Sequence, residues 1–466
     1  MEKRVVKKLV HLLEHDLTNY MNLTTESMGK LLLEESGKTL ASKELDTYLG
    51  DAEKRKRIHI IMPMDMELAT YSGYDGKTVY QKDERGQPGY WCYENEGKRE
   101  WVSLNMREVK KLEQYKDQVK STNNFCKSSP GLALPFFHYD PRRWQGMPCE
   151  TWSGSWDKPF EYLVQTSSST NRLSEYTAIG FKMYTALGYR PDDYKDRMVQ
   201  SRSGYKQRKK LDGRLPSLAE FYAKCQMHQI PIICHGSRGG VFAHDYMLYY
   251  DYIFPADEVS EAEKMDFFEE ICVSPWAWEN VLRDFPGLYL CLAHFGGEES
   301  WCDDLSKPDN WVRKLVELME RYENFYVDLS YFIFNENDKC HKLERLVKEH
   351  PKIKKKLLFG TDWYMTLVAL GGKSYRSFCE DAWKAFMEIP DGEKLWVNCT
   401  FLNPFTFYGI YEKDPQSGVS KLENIAAALD TAKCDRTKLQ DNLSFFKRLQ
   451  KEYDKLVDER KKAKGV

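Results

Sequence analysis

The chain has 466 residues, of which 42% are hydrophobic and 30% are charged, and its formal net charge is −2. This length is sufficient to bury a large core, either in one α/β barrel with additions or in two domains. The near-neutral charge gives no reason to expect a nucleic acid or an anionic membrane as a partner. The 12 cysteines are scattered without a CxxC pair, which is typical of reduced thiols.

The N-terminal sequence MEKRVVKKLVHLLEHDL predicts an amphipathic helix, and residues 1–55 are expected to be a helical segment. This segment lacks the apolar core of a secretory signal. No stretch of the chain approaches the roughly 20 apolar residues of a membrane span. We therefore expect a cytoplasmic protein with no membrane partner.

Short apolar runs recur from residue 58 onward, each followed by a longer amphipathic stretch. Continuous apolar runs suit strands buried on both faces, and their alternation with helical stretches predicts repeated βα units. An eight-stranded (β/α)8 barrel is the expected architecture, with a doubly wound open sheet as the alternative. The seven runs leave one barrel strand unaccounted for: IHIIMPMDM from Ile58, LALPFFHYD from Leu132, AIGFKMY from Ala178, IPIICHG from Ile230, LYLCLAHFGG from Leu288, NFYVDLS from Asn324 and KLLFGTDW from Lys356.

Two segments depart from this alternation. Residues 71–105 are rich in glycine and aromatic residues and predict a long excursion, interpreted as a hairpin that could cover the site. Residues 412–466 have helical spacing of apolar residues, as at Leu443, Phe446 and Leu449. The predicted organisation is a helical segment (1–55), a barrel (56–411) and a C-terminal helical extension (412–466). The extension is the expected contact for a partner protein or for a second copy in a homo-oligomer.

Polar residues at the carboxyl ends of the predicted strands are the candidates for chemistry, because these ends form the active-site rim of a parallel barrel. Imidazole and carboxylate groups together suit zinc, iron or manganese, and an open coordination position would let the ion activate a water molecule. The strand-end residues are Asp65, His138, Asp140, Lys182, Tyr184, His235, His294, Asp328, Ser330 and Asp362.

Several motifs resemble those of the amidohydrolase superfamily, in its amidohydrolase-related branch of hydrolases, hydratases, lactonases and decarboxylases. ICHGSRGG, LAHFGGEESW and LLFGTDWYM are similar to that branch's strands five, six and eight. FFHYDPRR and GFKMYTALGY resemble strands three and four, and LNPFTFYG resembles the closing segment after the barrel. The resemblance covers residues 58–410 approximately, with the motifs in the expected order.

The resemblance implies roles for individual residues. His235 matches the strand-five metal ligand, and His294 matches the strand-six histidine, a second metal ligand or an acid/base group. Asp362 matches the strand-eight aspartate, which ligates metal and accepts the proton of the attacking water. Lys182 lies where some relatives carry a carboxylated lysine that bridges two metals. The implied cofactor is a divalent metal, zinc in the first instance.

The chain departs from the family at the first strand, which ends in HxH in the superfamily. No HxH occurs in this sequence. His11 and His15 have metal-compatible spacing, but a solvated helix face is the favoured interpretation, and His59 begins its strand rather than ending it. Three explanations stay open: a trimmed start, a strand from another chain, or a degenerate site.

The predicted function is a metal-dependent hydrolase that cleaves an ester, lactone or amide-type bond of a small molecule. Arg142, Arg143 and Arg238 are candidates for binding an anionic substrate group, although loop-anchoring salt bridges are an equal interpretation, and Tyr184 is a further candidate contact. Two alternatives remain. One is a catalytically degenerate barrel acting as a scaffold or regulatory subunit. The other is a metal-dependent decarboxylase of the same superfamily.

Overall fold

Each of the seven apolar runs of the sequence contains a strand in the computed structural model. The structure describes residues 58–63, 78–81, 90–95, 98–103, 119–141, 159–164, 178–200, 208–211, 213, 215–238, 261–332, 334, 338–362, 375–413, 418–432 and 434–462. Its strands are β1 (His59–Ile61), β2 (Thr78–Gln81), β3 (Tyr90–Asn95), β4 (Lys98–Ser103), β5 (Ala133–Pro135), β6 (Phe137–His138), β7 (Phe181–Met183), β8 (Arg197–Gln200), β9 (Arg208–Leu211), β10 (Ile232–Ser237), β11 (Leu290–Gly296), β12 (Phe325–Asp328) and β13 (Leu357–Leu358).

The strands that correspond to the seven apolar runs pair in parallel and in chain order. β1 pairs with β5, and the row β6, β7, β10, β11, β12 and β13 follows. β5 and β6 are separated by Phe136, whose N–H donates to the backbone oxygen of Ile61 at 2.8 Å. Ile179 in turn donates to the backbone oxygen of Pro135 at 2.9 Å, which joins the two sheets into one surface. This is the strand order of a (β/α) barrel, and the predicted fold class is confirmed.

Side chains in register on neighbouring parallel strands share a face of the sheet. Ile232, Leu290 and Phe325 are in register, and all three are buried in a core shared with the surrounding helices. Their neighbours along the strands, which include Ile233 and Tyr326, lie on the opposite, inner face and belong to a second core. Both faces of the sheet are therefore covered, which explains why the strands are continuous apolar runs.

The C-terminal part of the chain covers this inner face. Phe405, Phe407 and Tyr408 belong to the same core as Ile233 and the other inner-face strand residues, together with side chains of the last helix. Each aromatic side chain buried there removes on the order of 150–250 Å² from water. The C-terminal segment thus packs against the inner face of the sheet.

The helices lie between the strands and after the last one. Those with defined bounds are α1 (Ser217–Met227), α2 (Glu261–Phe268), α3 (Pro275–Asp284), α4 (Gly297–Cys302), α5 (Trp311–Arg321), α6 (Lys339–Glu349), α7 (Tyr375–Met387), α8 (Gly392–Val397), α9 (Asn403–Tyr408), α10 (Lys421–Thr431) and α11 (Arg436–Lys462). Residues 119–128 are also helical. Short 3-10 or π turns occur at Pro159–Tyr162, Thr185–Leu187, Glu269–Val273, Pro351–Lys355 and Asn398–Leu402.

Local sequence accounts for the start of α5. The side chain of Asn310 accepts a hydrogen bond from the backbone N–H of Arg313 at 3.2 Å, which satisfies one free donor of the first turn. Val312, Leu315 and Met319 follow at helical spacing, and all are buried against the outer face of the sheet. The capped start and the apolar stripe together fix this helix beside β11.

The outer edge of β13 is occupied by residues that are not in a strand. The backbone N–H of Phe359 donates to the oxygen of Cys399 at 2.9 Å. The side-chain amide of Asn403 donates to the backbone oxygens of Leu357 and Lys354 at 2.8 and 2.9 Å. Within the described residues, no strand lies between β13 and β1. The LNPFTFYG segment therefore closes the edge at which a first strand would pair.

The two departures from the βα alternation are also seen. Strands β2, β3 and β4, within residues 71–105, form an antiparallel sheet. The tail is helical, as predicted, in α10 and α11, and Phe446 and Leu449 are buried. His11, His15, Asp65, Arg142 and Arg143 lie outside the described residues. In the part of the chain that the structure describes, no helix is both long and apolar enough to cross a membrane.

Candidate functional site

His235 and His294 lie side by side at the carboxyl ends of two adjacent strands. His235 is in β10 and pairs in register with Ala293 of β11, so His294 follows one residue later. The centroids of the two imidazole rings are 4.8 Å apart, with the rings inclined at 64°. His235 is buried and His294 is half-buried. The structure therefore brings together two of the predicted site residues.

The backbone at the end of β11 is left-handed over four consecutive residues. The φ angles are 69° at His294, 41° at Phe295, 83° at Gly296 and 80° at Gly297. Two of these residues are not glycine, and such a conformation costs on the order of 1–3 kcal/mol for each of them. Residues held in this way are concentrated at functional sites, where surrounding contacts maintain them.

Contacts from within the same motif hold this turn. The indole Nε1 of Trp301 donates to the backbone oxygen of Phe295 at 2.9 Å. The hydroxyl of Ser300 donates to the backbone oxygen of Gly296 at 2.9 Å. Gly297 is required for packing as well, because a Cβ there would lie 2.6 Å from the Cβ of Ser237. The motif LAHFGGEESW thus carries the residues that fix its own strained end.

Asp328 and Ser330, at the end of β12, support His294 from the neighbouring strand. Asp328 Oδ1 accepts the backbone N–H of His294 at 3.0 Å and that of Ser330 at 2.9 Å. It also accepts the hydroxyl of Ser330, and this hydroxyl oxygen lies 3.0 Å from His294 Nδ1. Both residues were recognised in the sequence only as strand-end polar groups. The structure joins them to the imidazole.

His235 has an aromatic and a hydroxyl neighbour. The ring centroid of Tyr184 is 4.9 Å from that of His235, in an edge-to-face arrangement. His235 Nε2 lies 3.1 Å from the hydroxyl oxygen of Ser237. Tyr184 is buried, so it forms an apolar wall beside the imidazole. The substrate contact that the sequence predicts for Tyr184 stays a prediction.

Lys182 lies on the inner face of the sheet, in register with Ile233 on one side and His138 on the other. It is buried, with 6% of its surface exposed. Cys291 lies on the same face, and burial raises the pKa of its thiol well above the ordinary value, with the Asp328 carboxylate acting in the same direction.

Asp362 follows β13, at the same end of the sheet as the two histidines. It is half-buried, and its φ of 47° is left-handed, as at the end of β11. Tyr331, just after β12, has a φ of 57°. A strained residue that is not glycine therefore lies at the end of β11 and within four residues after the ends of β12 and β13. The ligand role predicted for Asp362 stays a prediction.

The donor set fits a divalent ion in part. Two neighbouring imidazoles are suitable zinc ligands, whereas a catalytic zinc site usually has three protein ligands. Among the described residues, no three His, Cys, Asp or Glu side chains are grouped closely enough to hold a metal ion. The two histidines are thus the assembled part of the predicted centre.

Arg238 contacts the helical layer. Its guanidinium carbon lies 5.3 Å from the ring centroid of Trp311, the first residue of α5. Its Nη2 donates to the backbone oxygen of Asp309 at 3.5 Å. These contacts hold the arginine against the start of α5. A role in substrate binding stays a prediction for Arg238, as it does for Arg142 and Arg143.

Comparison with known proteins gives a family match for this central region. Residues 172–383, a little under half of the chain, match a family model described as amidohydrolase. The central segment is amidohydrolase-like. This match includes β7, β10, β11, β12 and β13, and with them Lys182, His235, His294 and Asp362. The resemblance predicted from the motifs is confirmed over this segment.

Solved structures of low identity also match this chain. One is an uncharacterised TIM-barrel protein from Bordetella bronchiseptica, at 14% identity and a TM-score of 0.34, over 62% of this chain and 70% of that one. A second is an amidohydrolase from Burkholderia multivorans with bound zinc, at 14% identity and a TM-score of 0.25, over 41% and 69%. A third is a 5-carboxyvanillate decarboxylase from Sphingomonas paucimobilis, at 9% identity and a TM-score of 0.34, over 64% and 72%. Comparison with curated proteins gives no match.

Proposed function

We propose that this chain is a hydrolase of the amidohydrolase type that cleaves an ester, lactone or amide bond of a small molecule. The observation that carries the proposal is the pair His235 and His294, 4.8 Å apart between ring centroids at the ends of adjacent parallel strands. A strained backbone and a hydrogen-bonded carboxylate support this pair, and such support is costly to maintain without a function.

His235, Asp362 and His294 are the residues that would hold a divalent ion, zinc in the first instance. When bound, such an ion would supply a Lewis acid that polarises a carbonyl and lowers the pKa of a water molecule towards about 7. Carboxylation of Lys182 would add a ligand for a second ion. With a single ion on His235 and Asp362, His294 is available as the general base.

The chain's own residues then supply proton transfer and positioning. His294 takes a proton from the attacking water and returns it to the leaving oxygen or nitrogen. A positioned base of this kind contributes about 10²- to 10⁴-fold to the rate. Tyr184, packed edge-to-face on His235, keeps water from that side of the imidazole and orients the ring.

The experiment is metal analysis combined with turnover. Protein purified without chelator is expected to contain about one or two equivalents of zinc, iron or manganese. His235→Asn should lower this content and abolish hydrolysis of chromogenic esters, lactones or anilides, and His294→Asn should abolish hydrolysis through loss of the base. His341→Asn is the matched control, because His341 is exposed and pairs with Glu344 on α6. Wild-type protein with neither metal nor hydrolysis would remove the proposal.

A second candidate function is a barrel without catalysis that acts as a scaffold or regulatory subunit. It is favoured by the occupied edge of β13, where Phe359 bonds to Cys399 and Leu357 bonds to Asn403. A first strand that carried an HxH pair could not use these backbone groups unless the segment moved away. Absence of metal, with a stable fold, is the result that this alternative predicts.

A further inference from the structure

The carboxylate of Asp328 determines the direction in which the Ser330 hydroxyl, beside His294, points its proton. Asp328 Oδ1 already accepts two backbone N–H groups, those of His294 and Ser330. It is therefore an acceptor toward the Ser330 hydroxyl as well, and the hydroxyl proton is directed to Asp328. The Ser330 oxygen has only a lone pair left to offer to the imidazole.

The imidazole atom that meets this oxygen must then be a donor. His294 Nδ1 lies 3.0 Å from the Ser330 hydroxyl oxygen and 3.2 Å from the Ser330 backbone oxygen. A backbone carbonyl can only accept, and the hydroxyl proton is already engaged. Both contacts therefore require a proton on Nδ1. In a neutral imidazole this leaves the lone pair on Nε2.

We propose that Asp328, acting through Ser330, is a positioning residue that fixes His294 as the Nδ1–H tautomer with its lone pair on Nε2. The same carboxylate holds the left-handed backbone of His294 through the N–H contact. A metal ligand and a general base need the same free lone pair, so the assignment serves either role. The use of this lone pair in catalysis rests on the proposed hydrolase function, whereas the assignment of the tautomer does not.

The site geometry explains why a carboxylate on a neighbouring strand is suited to this task. Asp328 is 94% buried and lies one strand away from His294, so it is held by the sheet and not by a loop. A partner of this kind, which orients a histidine through its second nitrogen, typically changes metal affinity or activity by about 10–100-fold when it is removed.

The test is nuclear magnetic resonance of full-length protein labelled with ¹⁵N-histidine and kept free of metal with a chelator. Two-bond ¹H–¹⁵N correlations distinguish the two neutral tautomers, and His294→Asn assigns the signals. In the wild type, His294 is expected as the Nδ1–H form. Asp328→Ala removes the acceptor and frees the Ser330 hydroxyl to donate to Nδ1, so it should raise the population of the Nε2–H form. Ser330→Ala offers no such donor and should raise it less.

Ser300→Ala is the matched control, since it removes a buried hydroxyl from the same turn without touching the imidazole. It should leave the tautomer unchanged. An Nε2–H form in the wild type, or an unchanged tautomer in Asp328→Ala, overturns the proposal. The wild-type spectrum requires no variant to fold. If the wild-type protein shows the expected tautomer but no hydrolysis, that result counts against the proposed function alone. If it shows the unexpected tautomer with full turnover, that result counts against the positioning role alone.

Discussion

The side-chain amide of Asn403 donates to the backbone oxygen of Leu357 at 2.8 Å, on the edge of β13 that faces away from β12. The same nitrogen donates to the backbone oxygen of Lys354 at 2.9 Å. Asn403 is 1% exposed, so water does not replace these bonds. One asparagine thus satisfies an acceptor at the strand edge that an open sheet would leave for another chain, and a second acceptor in the turn before β13.

Replacement of Asn403 by Ala should lower the free energy of unfolding by about 2–4 kcal/mol, because two buried acceptors lose their donor. Urea unfolding followed by circular dichroism measures the change. Asn442→Ala provides the comparison, since Asn442 is also buried but donates to one acceptor, the oxygen of Pro130. We expect a loss of about 1–2 kcal/mol there. Equal losses in the two variants would show that the second bond contributes nothing.

The parallel strands and their order could be predicted from the sequence. Ile232 to Ser237 and Leu290 to Gly296 form apolar runs because both sheet faces are buried, and this pattern is local. The position of His235 and His294 at strand ends follows from the same runs. The strand with the HxH pair was expected to be missing, and the closing role of residues 398–403 depends on contacts about 46 residues away. Periodicity carries no information on such a contact.

The link from Asp328 to His294 could not be predicted for a similar reason. The sequence shows both residues at strand ends, but their contact depends on the pairing of β11 with β12 and on the left-handed backbone of His294. A positive φ is readily predicted for glycine and not for histidine or phenylalanine. The two glycines after Phe295 indicated a turn. They did not indicate where the turn begins.

Because Gly297 approaches Ser237 closely, we expect a single methyl group added at Gly297 to lower the stability of the fold substantially. In Gly297→Ala the new Cβ would combine a φ of 80° with a 2.6 Å contact to the Ser237 Cβ. Gly418→Ala is the matched control, with a φ of 67° and no atom within 4 Å of the new Cβ. The control should lose about 1–2 kcal/mol through backbone strain alone. Gly297→Ala should lose about 1–3 kcal/mol more through overpacking.

Thermal unfolding of the two glycine variants side by side measures this difference. Equal midpoints would mean that the end of β11 moves freely to accommodate the methyl group, contrary to a turn held by several contacts. We also expect Gly297→Ala to lower any hydrolytic activity, because Gly297 belongs to the turn that carries His294. Gly418→Ala should leave the activity unchanged.

The indole of Trp301 is predicted to stabilise the turn through one hydrogen bond. Trp301→Phe removes the Nε1 donor and leaves the Phe295 oxygen without this partner, at a cost of about 1–3 kcal/mol. Trp278→Phe removes the same atoms from an equally buried tryptophan. Among the described residues, Nε1 of Trp278 has no hydrogen-bond partner. The difference between the two variants in chemical denaturation therefore reports the hydrogen bond, and a zero difference would contradict its role.

Glu269 is predicted to make stability depend on pH. Burial raises the pKa of its carboxyl from 4.5 to about 8, with Glu299 and Asp266 acting in the same direction and Arg238 opposing them. The folded state thus disfavours the charged form. The neutral carboxyl carries no such cost below pH 4.5, and stability is lost progressively as the pH rises from about 4.5 to about 8.

Glu269→Gln removes this titration, so the free energy of unfolding should fall less between pH 5 and 8 in the variant than in the wild type. The loss in the wild type is expected to be on the order of a few kcal/mol. Urea unfolding at intervals across this range measures it. Glu220→Gln is the control of opposite sign, because a hydrogen bond from Lys224 lowers the pKa of the exposed Glu220 carboxyl. Removal of the Glu220 carboxyl should leave the dependence of the free energy of unfolding on pH unchanged above pH 5. Parallel pH curves for wild type and Glu269→Gln would show that the Glu269 carboxyl is not buried as a neutral acid.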